Sequence, residues 1–172
     1  MPPKPLIDLS SIDLDTVRFD ATALDRYLPQ KHAMRQLHGV LHLDTEEGYA
    51  VGYRDVRDDE FWCEGHFPSR PVFPGVVLVE SVAQLCVFYW RHQVGIEQAP
   101  GRAMLFGGID RVKFRDAIVP GQRVILVAKA TEVKVRRSRY DCQAFVEGKL
   151  VFTGEITGML GPSMPEIYPD GV

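Results

Sequence analysis

Apolar positions along the chain fall into short mixed runs on either side of one long apolar block. Residues 38–43 and 48–56 each mix apolar and polar positions, and the turn-like Asp44-Thr45-Glu46-Glu47-Gly48 between them predicts a β-hairpin. Ahead of the hairpin, Asp20 is a good N-cap for a short helix over 21–27, which Pro29 stops soon afterwards. From Val76 to about Gln93 the pattern is that of a long apolar helix, with Gly75 at its start and Gly95 and Pro100 beyond its end. The rest reads as β. Residues 104–114 form a mixed strand broken by Gly107-Gly108, and 122–135 a long strand with Val124, Leu126 and Ala128 on one face. Residues 138–146 and 150–159 pair around Glu147-Gly148-Lys149. A helix apolar on most sides must be surrounded rather than laid on a surface. A curved antiparallel sheet wrapped around it does this, so the expected class is α+β.

Length and composition narrow the picture without changing it. At 172 residues, a single domain is expected over 20–172, preceded by a flexible N-terminal arm over 1–19 that is rich in proline, aspartate and serine. A net charge of −3 argues against generic nucleic-acid binding, which needs a basic excess. The three cysteines, Cys63, Cys86 and Cys142, are widely spaced and form no CxxC pair, so neither a disulfide framework nor a metal site is expected. The chain opens without the basic start and apolar run of a signal peptide, and the apolar block is interrupted by Glu80 and too short to span a bilayer. The expectation is a cytoplasmic protein that needs no membrane, no nucleic acid, no metal and no cofactor.

Candidate chemistry sits where the strands give way to the helix. Gly65-His66-Phe67-Pro68-Ser69-Arg70-Pro71-Val72-Phe73-Pro74-Gly75 cannot be regular helix or central strand, because its prolines fix φ and lack a donor. It leads straight into Val76-Val77-Leu78-Val79-Glu80-Ser81-Val82-Ala83-Gln84. Over these twenty residues the chain resembles the 3-hydroxyacyl-acyl carrier protein dehydratases of the FabA/FabZ type, whose signature is GHFPxxPxxPGxxxxEaxAQ. Phe106-Gly107-Gly108-Ile109-Asp110-Arg111-Val112-Lys113-Phe114 and the turn Val119-Pro120-Gly121-Gln122 are similar to the family as well. The resemblance spans roughly residues 26–160 and is closer to FabZ, since Glu80 rather than Asp favours the simple dehydratase branch. It implies a hotdog fold and reversible dehydration of 3-hydroxyacyl thioesters to trans-2-enoyl thioesters in fatty acid or related biosynthesis. It also implies a homodimer, or a trimer of dimers, in which His66 of one subunit faces Glu80 of the other. The implied substrate carrier is acyl carrier protein with its phosphopantetheine arm.

The residue types suit that reaction. Removing water needs a base for the C2 proton and an acid for the leaving hydroxyl. Histidine titrates near neutrality and fits the first task. Glu80 shares a helix face with Val76, Val77, Ala83, Gln84 and Val87, where an apolar setting would raise its pKa and keep it protonated for the second. Gly75 at the helix N-terminus offers a backbone N–H to the developing thioester oxyanion, and a plain helix start is the competing reading. Gln84, one turn after Glu80, is placed to hold its carboxyl group or a water, and with Gly75 it is a candidate for binding the oxyanion and substrate. His32, His38, His42 and His92 are expected to be surface or structural, and Tyr89 and Trp90 to be core.

Three further expectations concern specificity. Arg136, Arg137 and Arg139 form the densest basic cluster, and with Arg70 they are candidates for docking an acidic carrier, against the ordinary reading of a solvated strand connection. The segment Leu28–Val40 lacks the family's Arg-Tyr-Pro-Phe core, so chain-length preference is not carried over. Ser69 stands where glycine is usual, a strained position if φ there is positive. A hotdog thioesterase and a non-catalytic acyl-binding accessory protein are the alternative functions.

Overall fold

A 20-residue helix, α2 (Gly75–Val94), runs against one face of a six-stranded antiparallel sheet. The computed structural model describes residues 4–164; positions 1–3 of the expected arm and 165–172 of the expected domain lie outside them. A short helix, α1 (Ala21–Leu24), comes first, and the Asp20 carboxylate caps it by accepting from the Ala23 N–H at 2.9 Å. The strands are β1 (Gly39–Asp44), β2 (Tyr49–Asp55), β3 (Arg102–Phe114), β4 (Arg123–Val133), β5 (Arg137–Val146) and β6 (Lys149–Ser163), in the spatial order β1-β2-β4-β5-β6-β3.

Both faces of the sheet carry apolar clusters, and both are covered. On the inner face Val124, Leu126 and Ala128 of β4, Cys142 and Ala144 of β5, and Phe152 and Ile156 of β6 pack with Leu78, Val82, Leu85 and Phe88 of α2. Each fully buried Val, Leu, Ile or Phe among these contributes about 1.5–3 kcal/mol relative to exposure, so α2 is fixed by its surroundings rather than by helix propensity. Tyr89 and Trp90 lie in the same core, as expected. The outer face carries a second cluster, Val51, Ile125, Val127 and Phe145, covered by Leu6, Ile7, Leu9, Ile12 and Leu14 of the segment expected as an arm. Gln143 ties that segment down, accepting from the Leu6 N–H at 2.9 Å and donating to the Lys4 carbonyl at 3.0 Å.

Strand β3 continues through Gly107-Gly108 instead of breaking there; the register slips between Phe106 and Gly108. A Cβ on Gly107 would lie 2.3 Å from Cγ of Met159, so glycine allows the close approach of β6. Among the described residues β3 pairs with β6 alone, and Leu105, Phe106, Ile109 and Phe114 along it are exposed. Such an edge is a template for another strand.

Candidate active site

The loop that carries His66 is braced from behind. Glu60 pairs with the buried guanidinium of Arg54, accepts from the Arg57 N–H at 2.8 Å and accepts from the indole N–H of Trp62 at 3.2 Å. His38 joins this cluster through Arg54 Nη1 at 2.6 Å, and burial together with the neighbouring guanidinium pushes its pKa down to about 4. From Trp62 the chain turns back on itself. The Trp62 carbonyl accepts from the His66 N–H at 2.8 Å, Val72 N–H donates to the His66 carbonyl at 2.7 Å, and Phe73 N–H anchors to Ile118 at 2.7 Å. Ser69 sits in this loop without a positive φ, so the position accepts a side chain.

The His66 ring is oriented by the same loop. Its Nδ1 lies 2.7 Å from the Val72 carbonyl, and a carbonyl can only accept, so Nδ1 carries the proton. Neutral His66 therefore presents the lone pair of Nε2, the form a general base needs. The Phe67 ring stacks on the imidazole, with centroids 4.3 Å apart.

Glu80 stands one and a half turns into α2, half-buried. Burial raises its pKa above the ordinary 4.5, and hydrogen bonds from Gln84 and Gln30 offset part of that rise. Both amides address the same oxygen, Oε1, at 2.8 Å from Gln84 Nε2 and 3.4 Å from Gln30 Nε2, which leaves Oε2 for a proton. No cation lies within ion-pair distance of Glu80 among the described residues. The buried Gln84 does more than hold this carboxyl. Its Oε1 accepts from the N–H groups of Gln36 at 2.8 Å and Leu37 at 3.0 Å, and its Nε2 also donates to the Met34 carbonyl at 2.6 Å. Two backbone donors on Oε1 fix which end of the amide is which.

Glu80 opens onto a cavity of about 150 Å³ between α2 and the sheet. Ala83, Cys86 and Val87 line it from the helix, and Met104, Phe106 and Ile156 from the strands. The structure thus brings Glu80 and Gln84 together, while His66 and Gly75 are not part of this cavity wall within one chain. Gly75 is the first residue of α2, so its N–H has no acceptor inside the helix. A Cβ there would also meet the Phe114 ring at 2.8 Å, so packing alone is a sufficient reason for glycine. Arg70, Arg136 and Arg139 are exposed. Arg137 is paired with Glu132, at 2.7 Å from Nη2, and together with Lys134 it holds that carboxyl down at about 2.

Of the residues that line this cavity, sequence reasoning assigned a role to Glu80, and those it missed include Gln30, Ser138 and Tyr140. Gln30 lies in a segment with no periodicity to read. Ser138 and Tyr140 were legible in principle, because the alternation along β5 turns 138, 140, 142 and 144 inward, and two of these are polar.

The FabA-like domain family model matches residues 28–155. A 3-hydroxyacyl-[acyl-carrier-protein] dehydratase FabZ from Teredinibacter turnerae is 35% identical over 137 residues, covering 80% of this chain and 93% of that protein. Among solved structures, the dehydratase heterocomplex ApeI:P from Xenorhabdus doucetiae is similar with a TM-score of 0.68 at 17% identity, over 81% of this chain and 91% of that one. A putative thioesterase from Silicibacter sp. TM1040 gives a TM-score of 0.60 at 15% identity, over 86% and 95% of the two chains. The PaaI protein of the E. coli phenylacetic acid degradation operon gives 0.53 at 16%, over 70% and 80%. At such identities the structural likenesses establish the hotdog fold, and with the family model and the relative at 35% the conclusion is that this chain belongs to the FabA-like domain family.

Proposed function

We propose that the chain catalyses reversible dehydration of 3-hydroxyacyl thioesters carried on acyl carrier protein, in fatty acid or related biosynthesis. The observation that carries this reading is Glu80, a carboxyl with a raised pKa, held by two amides at the mouth of an apolar cavity. In the forward direction His66 Nε2 takes the C2 proton. The C2–H electron pair becomes the second bond between C2 and C3, and the C3–O bond breaks as Glu80 protonates the leaving hydroxyl. Water and a trans-2-enoyl thioester result. Gly75 N–H supports the charge that builds on the thioester oxygen.

Since His66 does not line the Glu80 cavity within one chain, each site is read as shared between two subunits of a homodimer, joined along the β3 edge with its exposed Leu105, Phe106, Ile109 and Phe114. Three buried free cysteines suit the cytoplasm, and no helix among the described residues is long and apolar enough to cross a membrane. Arg70, Arg136 and Arg139 are the exposed cations offered to an acidic carrier.

Thioester hydrolysis is the second reading, favoured only by fold likeness to thioesterases. A single assay separates the two. Purified protein with a crotonyl pantetheine thioester is followed for loss of the conjugated enoyl absorbance and for free thiol. Hydration without thiol release is expected; thiol release without hydration would overturn the proposal in favour of a thioesterase.

A further inference from the structure

The cavity beside Glu80 is apolar along most of its wall and polar where it is best shielded. Glu80, Ala83, Cys86 and Val87 of α2 flank it, a span of about 10 Å along the helix axis. Its volume of about 150 Å³ matches that of an engineered apolar cavity that takes up benzene, so it admits roughly six non-hydrogen atoms. Ala83, Val87, Met104, Phe106 and Ile156 suit a hydrocarbon.

Ser138 and Tyr140 do not suit one. Both line the same cavity, each is 1% exposed, and neither hydroxyl makes a hydrogen bond of regular geometry, although they are close enough to influence one another. Burial lifts the Tyr140 pKa well above its ordinary value, so the phenol stays protonated and offers an O–H. A buried hydroxyl left without a regular partner costs free energy comparable to a lost hydrogen bond. Cys142 and Ala144, the next inward positions of β5, show that the strand continues with small apolar side chains, so the two hydroxyls are a local departure. Gly158, opposite Ser138 on β6, keeps the space before them open: a Cβ there would meet Cγ of Met104 at 2.7 Å and Oγ of Ser138 at 3.0 Å.

We infer that this cavity selects a medium-length acyl chain bearing an oxygen, as a keto or hydroxyl group, on the part of the tail that reaches Ser138 and Tyr140. The inference rests on the dehydratase reading and names the acyl class that the site takes. Tyr140 donates to the tail oxygen, and Ser138 either donates or accepts, so both keto and hydroxyl tails are served. A plain hydrocarbon would leave the two hydroxyls with no partner beyond each other, and sites built to hydrogen-bond a substrate oxygen discriminate strongly against the analogue lacking it. A tail well beyond about six atoms finds no room.

The test compares pantetheine thioesters of trans-2-butenoate, trans-2-octenoate, trans-2-dodecenoate, and 6-oxo- and 7-oxo-trans-2-octenoate as hydration substrates. The expected result is a kcat/KM for one of the two oxo-octenoyl substrates at least ~10-fold above that of octenoyl, with dodecenoyl at least ~10-fold below octenoyl. In Tyr140→Phe and in Ser138→Ala the oxo preference falls below about 3-fold, whatever the rates on the plain chain. A wild-type protein that treats oxo and plain octenoyl alike, or a preference that survives both substitutions, overturns the inference. A protein inactive on butenoyl and on every other member overturns the dehydratase reading instead.

Discussion

Gln84→Met probes the amide that joins Glu80 to the segment 34–37. Methionine keeps the length, unbranched shape and helix propensity of glutamine, so α2 itself is spared. What is lost is the amide and its four contacts: the N–H groups of Gln36 and Leu37, the Met34 carbonyl, and Glu80 Oε1. Gln36 is 2% exposed and Leu37 fully buried, so their two N–H groups have no water to turn to. At about 1–3 kcal/mol for each stranded donor, these two alone cost roughly 2–6 kcal/mol. For a chain of this size about 4 kcal/mol corresponds to a fall in Tm of roughly 8–16 °C. Thermal unfolding by circular dichroism measures the total, and amide hydrogen exchange locates it. Gln36 and Leu37 should lose protection while the β4 and β5 amides at the centre of the sheet exchange more nearly with the global stability. The catalytic consequence has a definite sign. Glu80 loses the nearer of its two amide donors, so its pKa rises further and the limb of the rate profile that it governs moves to higher pH. A Tm within about 2 °C of wild type, with Gln36 and Leu37 still protected, would refute the role of Gln84 as the clamp on residues 34–37.

Other substitutions test other parts of the account. Because the folded pKa of Glu80 is raised, the folded state holds an extra proton between the unfolded and folded values, and wild-type stability falls as pH rises through that window. Glu80→Gln should therefore melt above wild type at neutral pH and converge with it below about pH 4; a constant difference across pH would contradict the burial argument. Glu60→Ala strands the buried Arg54 guanidinium and should cost about 3–5 kcal/mol in urea unfolding, whereas a loss below about 1 kcal/mol would show that the brace behind the His66 loop is dispensable. Mixing His66→Ala with Glu80→Gln subunits should restore part of the activity through heterodimers with one complete site, and no recovery after verified subunit exchange would contradict a shared site. Arg136→Glu with Arg70→Glu should slow turnover of substrate on acyl carrier protein in a salt-dependent way and spare a pantetheine thioester; equal effects on both would return these arginines to a solvated surface.

Much of the fold was legible because its elements announce themselves locally. Asp20 caps its helix, the Asp44–Gly48 turn joins β1 to β2, and the block after Gly75 is a helix that only a surrounding sheet could bury. What could not be read depends on partners distant in sequence. Residues 28–37 carry no periodicity, since Gln84, some fifty positions later, supplies the hydrogen bonds that shape them. Gln30 consequently reaches Glu80 from a stretch that looked merely atypical. The apolar residues at Leu6, Leu9, Ile12 and Leu14 were masked by the prolines and aspartates around them, although Ile125 and Val127 on the outward face of β4 were a sign that something covers that face. In the site, His66 and Glu80 stood out by type and spacing. The tautomer of His66 depended on the Val72 carbonyl, a backbone group without a signature in the sequence.

The central claim is that His66 and Glu80 act as base and acid in removing water from a 3-hydroxyacyl thioester. Its most direct measurement is the interconversion of 3-hydroxybutyryl and crotonyl pantetheine thioesters by wild type, His66→Ala and Glu80→Gln, each checked by circular dichroism for a native fold. The account predicts turnover by wild type and a loss of at least ~10²-fold in each variant. Near-wild-type turnover by either folded variant would contradict it.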